Sequence, residues 1–385
     1  MRKNKVLLLI YSQFLVLFAC HNDPNATNHT TLQFYDDPVD GGMVSETISK
    51  FIPIPLETKP GCLIGEIEKI VMDDSLIYIQ DRKSNSLFVF NLKGKFIFKI
   101  SSVGNGPGEY IYLRDFYIDN DSRNIFILGA HNKILKYNLS GKLLNETRLK
   151  FMPLKFVAVS PQTYYFWNNN NSPGQAPVVR TNSKFEIKES FFTEIERAIG
   201  SNTIFTLSDK DINLRPFPQK ENDMVYGLTE SNLYKKYSID FSSKKLPYNL
   251  EGNITELRKS NIDYCYFFRD FIEGDEWITF HLTYNKREYS ALYNKQNNES
   301  CWWISKHPGT LPEIMLSSVI SRNGRSFIGY LEPMYLRKFL SNYKTNDLIY
   351  NYNHLENSLH NFYDIITNSK VSDNPIVFCF ELSPN

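Results

Sequence analysis

Two stretches of the chain, Phe88-Val-Phe-Asn91-Leu-Lys-Gly94-Lys95 and Leu135-Lys-Tyr-Asn138-Leu-Ser-Gly141-Lys142, coincide at an offset of 47 residues. Ahead of them, Tyr78-Ile79 matches Phe126-Ile127 at 48, and Ile70-Val-Met-Asp73 matches Phe116-Tyr-Ile-Asp119 at 46. A fixed period of this length means a supersecondary unit that cannot bury its own face and must stack on copies of itself. Within one unit the pattern predicts strands over Lys69–Met72, Leu76–Gln80, Ser86–Asn91 and Phe96–Ile100. Asp73-Asp74-Ser75 is a turn composition, and the Asn-x-x-Gly-Lys hairpin needs glycine at positive φ. Four short antiparallel strands in under 50 residues describe a propeller blade.

Later units are degenerate but traceable. A third runs from Leu154 through Tyr164-Tyr-Phe-Trp167 to Ser190, and a fourth from about Thr203 to Pro247, with strands at Met224–Leu228 and Tyr234–Phe241. A fifth runs from Tyr266 through Trp277–Phe280 and Tyr289–Tyr293 to Trp303. The sixth holds Met315–Ser321 and Ser326–Tyr330, breaks, and resumes at Pro375–Leu382. The break reads as helix. Leu348, Tyr352, Leu355, Leu359, Phe362 and Ile366 step by four and three, and Leu336, Phe339, Leu340 and Tyr343 suggest a shorter helix before them. This helical pair either caps one side of the ring or serves as a lid or partner-docking element. Phe51–Leu56 precedes blade one without a blade of its own, and Pro53 and Pro55 permit only an edge strand. It is therefore expected to close the ring beside Ile376–Leu382. The fold class is all-β, a six-bladed β-propeller over residues 46–385, with a small helical insertion at about 333–368 before the closing strand.

The N-terminus sets the address. Arg2, Lys3 and Lys5 precede an almost uncharged run of 13 residues, Val6 to Phe18. That is shorter than the roughly 20 residues of a membrane-spanning helix and suits a signal-peptide core. The run ends in Leu17-Phe18-Ala19-Cys20, which resembles a lipobox. Residues 1–19 are expected to be removed, and Cys20 to carry the lipid that holds the protein to the cell envelope. Residues 20–45 read as a flexible tether. A net charge of +1 and the lack of a basic run argue against nucleic acid. Cys62, Cys265, Cys301 and Cys379 form no CxxC pair or zinc spacing. They are either free buried thiols or, for Cys62 and Cys379 near the two ends of the folded region, a clasp.

Val103-Gly-Asn-Gly-Pro-Gly-Glu-Tyr110 resembles the GxGPGEY signature of the six-bladed β-propeller lipoproteins abundant in Bacteroidetes, distant relatives of NHL-repeat propellers. Pro55-Leu-Glu-Thr58, Tyr78-Ile-Gln-Asp81 and Asn374-Pro-Ile-Val377 are similar to the same family. The resemblance spans roughly Phe51 to Leu382. It implies a fold and an envelope location, and no particular reaction. The GxG here neither follows a parallel strand nor opens a helix, so it does not read as nucleotide-binding.

No G-x-S-x-G, H-E-x-x-H, P-loop or Ca²⁺-loop pattern occurs, and no cofactor or metal is implied. His131, His281 and His307 are the histidines in blades. Asp73-Asp74 and Asp36-Asp37 read as turn formers, because neighbours in a strand point oppositely. One recurrence stands out. Leu113-Arg114-Asp115-Phe116 and Phe268-Arg269-Asp270-Phe271 open the innermost strands of blades two and five. Arg114 and Arg269 either form a cationic rim for a carboxylate or make inter-blade pairs with Asp115 and Asp270. Tyr110 and Glu109 are expected near the same mouth. Trp167, Trp302, Trp303 and Tyr110 are either stacking platforms or blade packing. The function expected is non-enzymatic: a monomeric lipoprotein binding a polysaccharide or peptide, or serving an outer-membrane transporter in nutrient uptake. The alternative is a lyase or hydrolase acting on glycans or peptides at the tunnel mouth.

Overall fold

The computed structural model describes residues 29–41, 44, 46–168, 176–192, 204–208, 210–215, 223–247, 263–305, 311–341 and 355–383. Two strands, β1 (Thr30–Gln33) and β2 (Ile48–Pro55), come before the first blade. Blade one is β3 (Ile67–Met72), β4 (Leu76–Asp81), β5 (Ser86–Asn91) and β6 (Phe96–Ile100). Blade two is β7 (Leu113–Asp119), β8 (Asn124–Gly129), β9 (Lys133–Asn138) and β10 (Leu143–Arg148). Blade three runs from β11 (Pro153–Ser160) through β12 (Thr163–Asn168) and β13 (Val178–Asn182) to β14 (Ile187–Phe191). Blade four is β15 (Phe205–Leu207), β16 (Ile212–Leu214), β17 (Met224–Leu228) and β18 (Leu233–Asp240). Blade five comprises β19 (Cys265–Glu273), β20 (Trp277–Tyr284), β21 (Arg287–Asn294) and β22 (Ser300–Ile304). Blade six has β23 (Val319–Asn323), β24 (Ser326–Leu331) and β25 (Ile376–Leu382). Within each blade these strands pair antiparallel in chain order, and the six sheets form a ring: a six-bladed β-propeller.

The hairpins follow from the sequence. Asn91 Oδ1 accepts the backbone N–H groups of Lys93 and Lys95, and Asn138 Oδ1 those of Ser140 and Lys142. Gly94 and Gly141 take φ of 76° and 78°, and a Cβ on Gly94 would collide with the Pro55 carbonyl. Blade three repeats this turn without glycine. Asn182 Oδ1 caps Lys184 and Glu186, and Phe185 takes φ of 59°.

Ring closure is by β2, which pairs antiparallel with β25 from Ile48↔Leu382 to Pro55↔Ile376. Its Ile48, Phe51 and Ile54 are buried, each contributing roughly 1.5–3 kcal/mol. The reading of residues 20–45 as a tether is corrected from Thr30 onward. β1 adds a fifth, parallel strand to β18 (Thr30↔Tyr237 to Gln33↔Asp240), because Leu32 and Phe34 are fully apolar and find the blade four–five core. The Phe34 ring lies 5.0 Å from Phe241 and 5.3 Å from Phe280. The chain then crosses blade five, where the Val39 amide donates to the Trp302 carbonyl and the Trp302 indole donates to the Asp36 carbonyl.

In blade six, Met315 lies in a short helix, α1 (Leu311–Leu316), and the strand begins only at Val319. The insertion holds α2 (Pro333–Ser341) and α3 (Glu356–Asn368), which bury Leu336, Phe339, Leu359, Phe362 and Ile366. Phe362 meets Phe51 at 5.1 Å, so α3 packs against the closing strand; Leu348, Tyr352 and Tyr343 lie outside the described residues. All four cysteines after Cys20 are free thiols. Cys62 donates to the Glu57 carbonyl and Cys379 faces Met72, so the clasp is not formed. Among the described residues no helix is long and apolar enough to cross a membrane.

Candidate functional site at the axial mouth

The inner strands β3, β7, β11, β15, β19 and β23 surround the axis. Their starting ends are tied in sequence around one opening. The Arg114 guanidinium donates to the Pro153 carbonyl at 2.7 Å, Gln80 donates to Leu113 at 3.0 Å, and Arg215 donates to the Phe268 carbonyl. The opening is filled with charge. Lys69 Nζ donates to Asp115 Oδ1 at 2.7 Å and to the Phe116 carbonyl at 2.7 Å, while Asp115 Oδ2 accepts the Phe156 amide at 2.9 Å. Lys155 Nζ pairs with Glu68 at 2.9 Å and donates to the Arg114 carbonyl at 3.1 Å. These contacts lock blades one, two and three together. Burial outweighs Asp115 and holds the Lys69 ammonium below its ordinary value.

Arg114 and Arg269 both stand at this mouth, on blades that face each other across a six-fold ring. Their chemistry differs. Arg269 lies 3.5 Å from Asp270 and 3.1 Å from Glu288, so its charge is answered. Arg114 donates to a backbone carbonyl and has no ion pair with a carboxylate among the described residues. Partial burial alone lowers its pKa. The expected cationic rim of two arginines is thus reduced to one, because carboxylates from blade five meet Arg269. Asp115 does not pair with its neighbour Arg114 at all. It turns to Lys69 of blade one.

Glu109 and Tyr110 are placed elsewhere, in the connection between blades one and two. Glu109 Oε2 accepts the Gly106 amide at 2.8 Å, and the Gly108 amide donates to Glu146 at 2.6 Å. Lys133 pairs with Glu146 and donates to the Gly106 and Glu109 carbonyls. Tyr110 is 1% exposed and its hydroxyl donates to the Asn85 and Ile100 carbonyls. The glycines let the loop fold tightly over this carboxylate, so both residues hold the blade joint. Trp167, Trp302 and Trp303 are likewise packed away, each 1% exposed, and present no stacking surface.

Sequence reasoning missed Tyr112, which follows the glycine loop. Burial, with the Glu68 carboxylate nearby, raises its pKa. It also missed a string across blade five. His281 Nδ1 meets Ser290 Oγ at 3.1 Å, which meets Ser305 Oγ at 2.8 Å. Burial holds His281 below its ordinary value, and Ser290 is fully enclosed. This arrangement satisfies buried polar groups and opens no base to a substrate. His131 sits exposed on a turn at φ 61°; His307 and Cys20 lie outside the described residues. Among those residues no group of three or more His, Cys, Asp or Glu comes together as a metal site.

The protein is therefore a six-bladed propeller with an ion-paired axial mouth, where Arg114 has no carboxylate partner among the described residues. It belongs to the family defined by a domain of unknown function, DUF4934, whose model matches residues 36–381. No curated protein matches the chain. Among solved structures, a Bacteroides fragilis protein described as a "Putative exported protein" aligns with a TM-score of 0.74 at 19% identity, over 93% of this chain and 100% of its own. That likeness is one of fold. A member of the DUF4221 family from Bacteroides vulgatus aligns with a TM-score of 0.49 at 11% identity, over 88% of this chain and 98% of its own.

Proposed function

We propose that this propeller is an exported, lipid-anchored binding protein of the cell envelope that holds a carboxylate-bearing ligand at its axial mouth through Arg114. One observation carries the reading. Lys69, Lys155, Arg82 and Arg269 are each paired with a carboxylate, whereas the half-buried Arg114 guanidinium is bonded to one carbonyl. A guanidinium has five N–H donors, and a partly dry site strengthens a bidentate carboxylate contact. Acidic glycans and peptide C-termini carry that group, and an outer-membrane transporter is the partner such a ligand would be handed to. Lipidation at Cys20 supplies the anchor, and the glycine-rich segment before Tyr110 is read as a family signature.

Titration calorimetry with a galacturonate trisaccharide and its neutral galactose counterpart tests the ligand. The acid should bind at least tenfold tighter. Arg114→Ala should lose about ten- to a hundredfold, as expected for a charged hydrogen bond of roughly 1.5–3 kcal/mol, and Arg269→Ala should bind as wild type. Equal binding of the two sugars, or unchanged binding by Arg114→Ala, sinks the proposal. Separately, Cys20→Ser should leave the membrane fraction and carry no acyl label.

A further inference from the structure

Where blades five and six join, a cavity of about 410 Å³ opens between β24, the end of α1 and the start of α2. Its polar lining is Ser305, Ser317, Ser318, Tyr330 and Glu332. The Tyr330 hydroxyl faces the Ile67 carbonyl, at the start of β3, from 3.5 Å, which puts the cavity beside the mouth. The volume falls in the range of small-molecule pockets. Among the described residues, no Lys or Arg lines it.

The hydrogen-bond donors of this lining are largely spent. The backbone amides of Ser305, Ser317 and Ser318 donate to the carbonyls of Glu288, Glu313 and Met315. The Ser318 hydroxyl donates to the Ile314 carbonyl at 2.7 Å. Ser305 is set by the buried string behind it. Burial holds His281 below its ordinary value, so the ring is neutral at pH 7, and the Val319 backbone favours a proton on it. Nδ1 faces Ser290 Oγ at 3.1 Å, which assigns that proton to Nε2. Ser290 must then donate to Nδ1, and Ser305 to Ser290 at 2.8 Å. The oxygens of Ser305 and Ser318 are left as acceptors. Ser317 accepts the Trp303 indole and keeps its own hydrogen.

Charge points the same way. Glu332 stands exposed at the cavity's lip. Its carboxylate has no ion pair among the described residues, and Lys83 acts on it only through space. Its place before α2 favours the ionised form. Burial, and then the charges of Glu332, Glu66 and Asp270, raise the Tyr330 pKa, so the field at that hydroxyl is negative. An anion would meet this field with little to hold it.

A primary ammonium is the complement, with three donors, no acceptor and one positive charge. From the acceptor-lined cavity and its carboxylate lip, we infer that the joint of blades five and six is a binding site for a primary alkylamine. Glu332 takes the charge, and the oriented Ser305 and Ser318 oxygens accept the remaining N–H groups. The half-buried Ile320 and the exposed Tyr335 offer apolar surface to the carbon stem. The site shares no residue with the carboxylate site at Arg114.

Calorimetric titration of the mature chain at pH 7 with n-pentylamine, 1-pentanol and pentyltrimethylammonium tests it. The amine should bind saturably and at least about tenfold tighter than the alcohol, which lacks the charge, or the trimethyl cation, which lacks the donors. Glu332→Gln should weaken the amine about ten- to a hundredfold, as for a charged hydrogen bond, with the fold kept in circular dichroism. Ser305→Ala, which removes an oriented acceptor, should also weaken it. Arg114→Ala should bind the amine as wild type. Absence of saturable binding, equal binding of amine and alcohol or of amine and trimethyl cation, unchanged binding in folded Glu332→Gln or Ser305→Ala, or loss in Arg114→Ala overturns the inference.

Discussion

Lys69 of blade one and Asp115 of blade two meet at 2.7 Å in the axial mouth, and the carboxylate is only 2% exposed. Removing one partner of a buried pair leaves the other charge without its counterion, at a cost of about 3–5 kcal/mol. Asp115→Ala should lose stability on this scale in urea unfolding. Lys69→Met combined with Asp115→Leu should cost much less than the two single changes together. Additive costs would show that the pair is not coupled.

The N-terminal segment is part of the fold from Thr30 onward. Phe34→Ala should cost about 3–5 kcal/mol, the usual range for a buried phenylalanine, because the ring sits between Phe241 and Phe280. Deleting Ile48 to Leu56 removes the strand paired to β25 and should lower the melting temperature by well over 10 °C, or prevent folding. A deletion that melts like wild type would mean the ring closes by another route.

The thiols should behave as buried, unreactive groups. Burial pushes Cys301 and Cys379 up to about 12, so thiolate is scarce at neutral pH. In the native protein Cys62, Cys265 and Cys379 should resist alkylation for hours. In denaturant without reductant, all four should react. A linked Cys62–Cys379 peptide in non-reducing digests would contradict the structure.

Asp73 carries a pH dependence. Its carboxylate accepts the Ser75 and Leu76 amides and the Ser75 and Tyr78 hydroxyls. Burial opposes the charge, but these donors prevail and the pKa falls below the ordinary 3.8. A lowered folded-state value means the stabilisation is present above pH 3.8 and is lost as pH drops through the folded value. Asp73→Ala should therefore be less stable at pH 7, by about 1 kcal/mol once screening is allowed for. The gap should narrow in melts below pH 3.8. A gap that stays constant with pH would mean the carboxylate charge contributes nothing.

The ring was legible wherever local chemistry repeats. Asn91 and Asn138 mark their hairpins with side-chain caps, and glycine completes the signal. In blade three Asn182 keeps the cap while Phe185 takes the glycine position, so the repeat fades although the turn persists. β1 was invisible for another reason: one buried residue, Leu32, in a four-residue strand leaves no period to detect. The mouth was half legible. Spacing put Arg114 and Arg269 at equivalent positions, but their partners come from distant strands. Asp270 takes φ of 53° in an irregular stretch of β19, whereas the irregularity of β7 falls at Arg114, and Asp115 pairs with Leu128 and reaches Lys69. Nothing local in the two Arg-Asp-Phe stretches distinguishes these outcomes.

The direction of β1 has a bearing on how the molecule would sit at a bilayer. β1 runs parallel to β18, and a fourth strand climbs toward the mouth, so the chain ahead of Thr30 arrives from the opposite face. With Cys20 acylated as proposed, ten residues separate the lipid from Thr30, a reach of at most ~36 Å. The anchor would then moor the propeller like a buoy on a short line, with the turns between first and second strands looking down at the membrane and Arg114 looking out at whatever diffuses past.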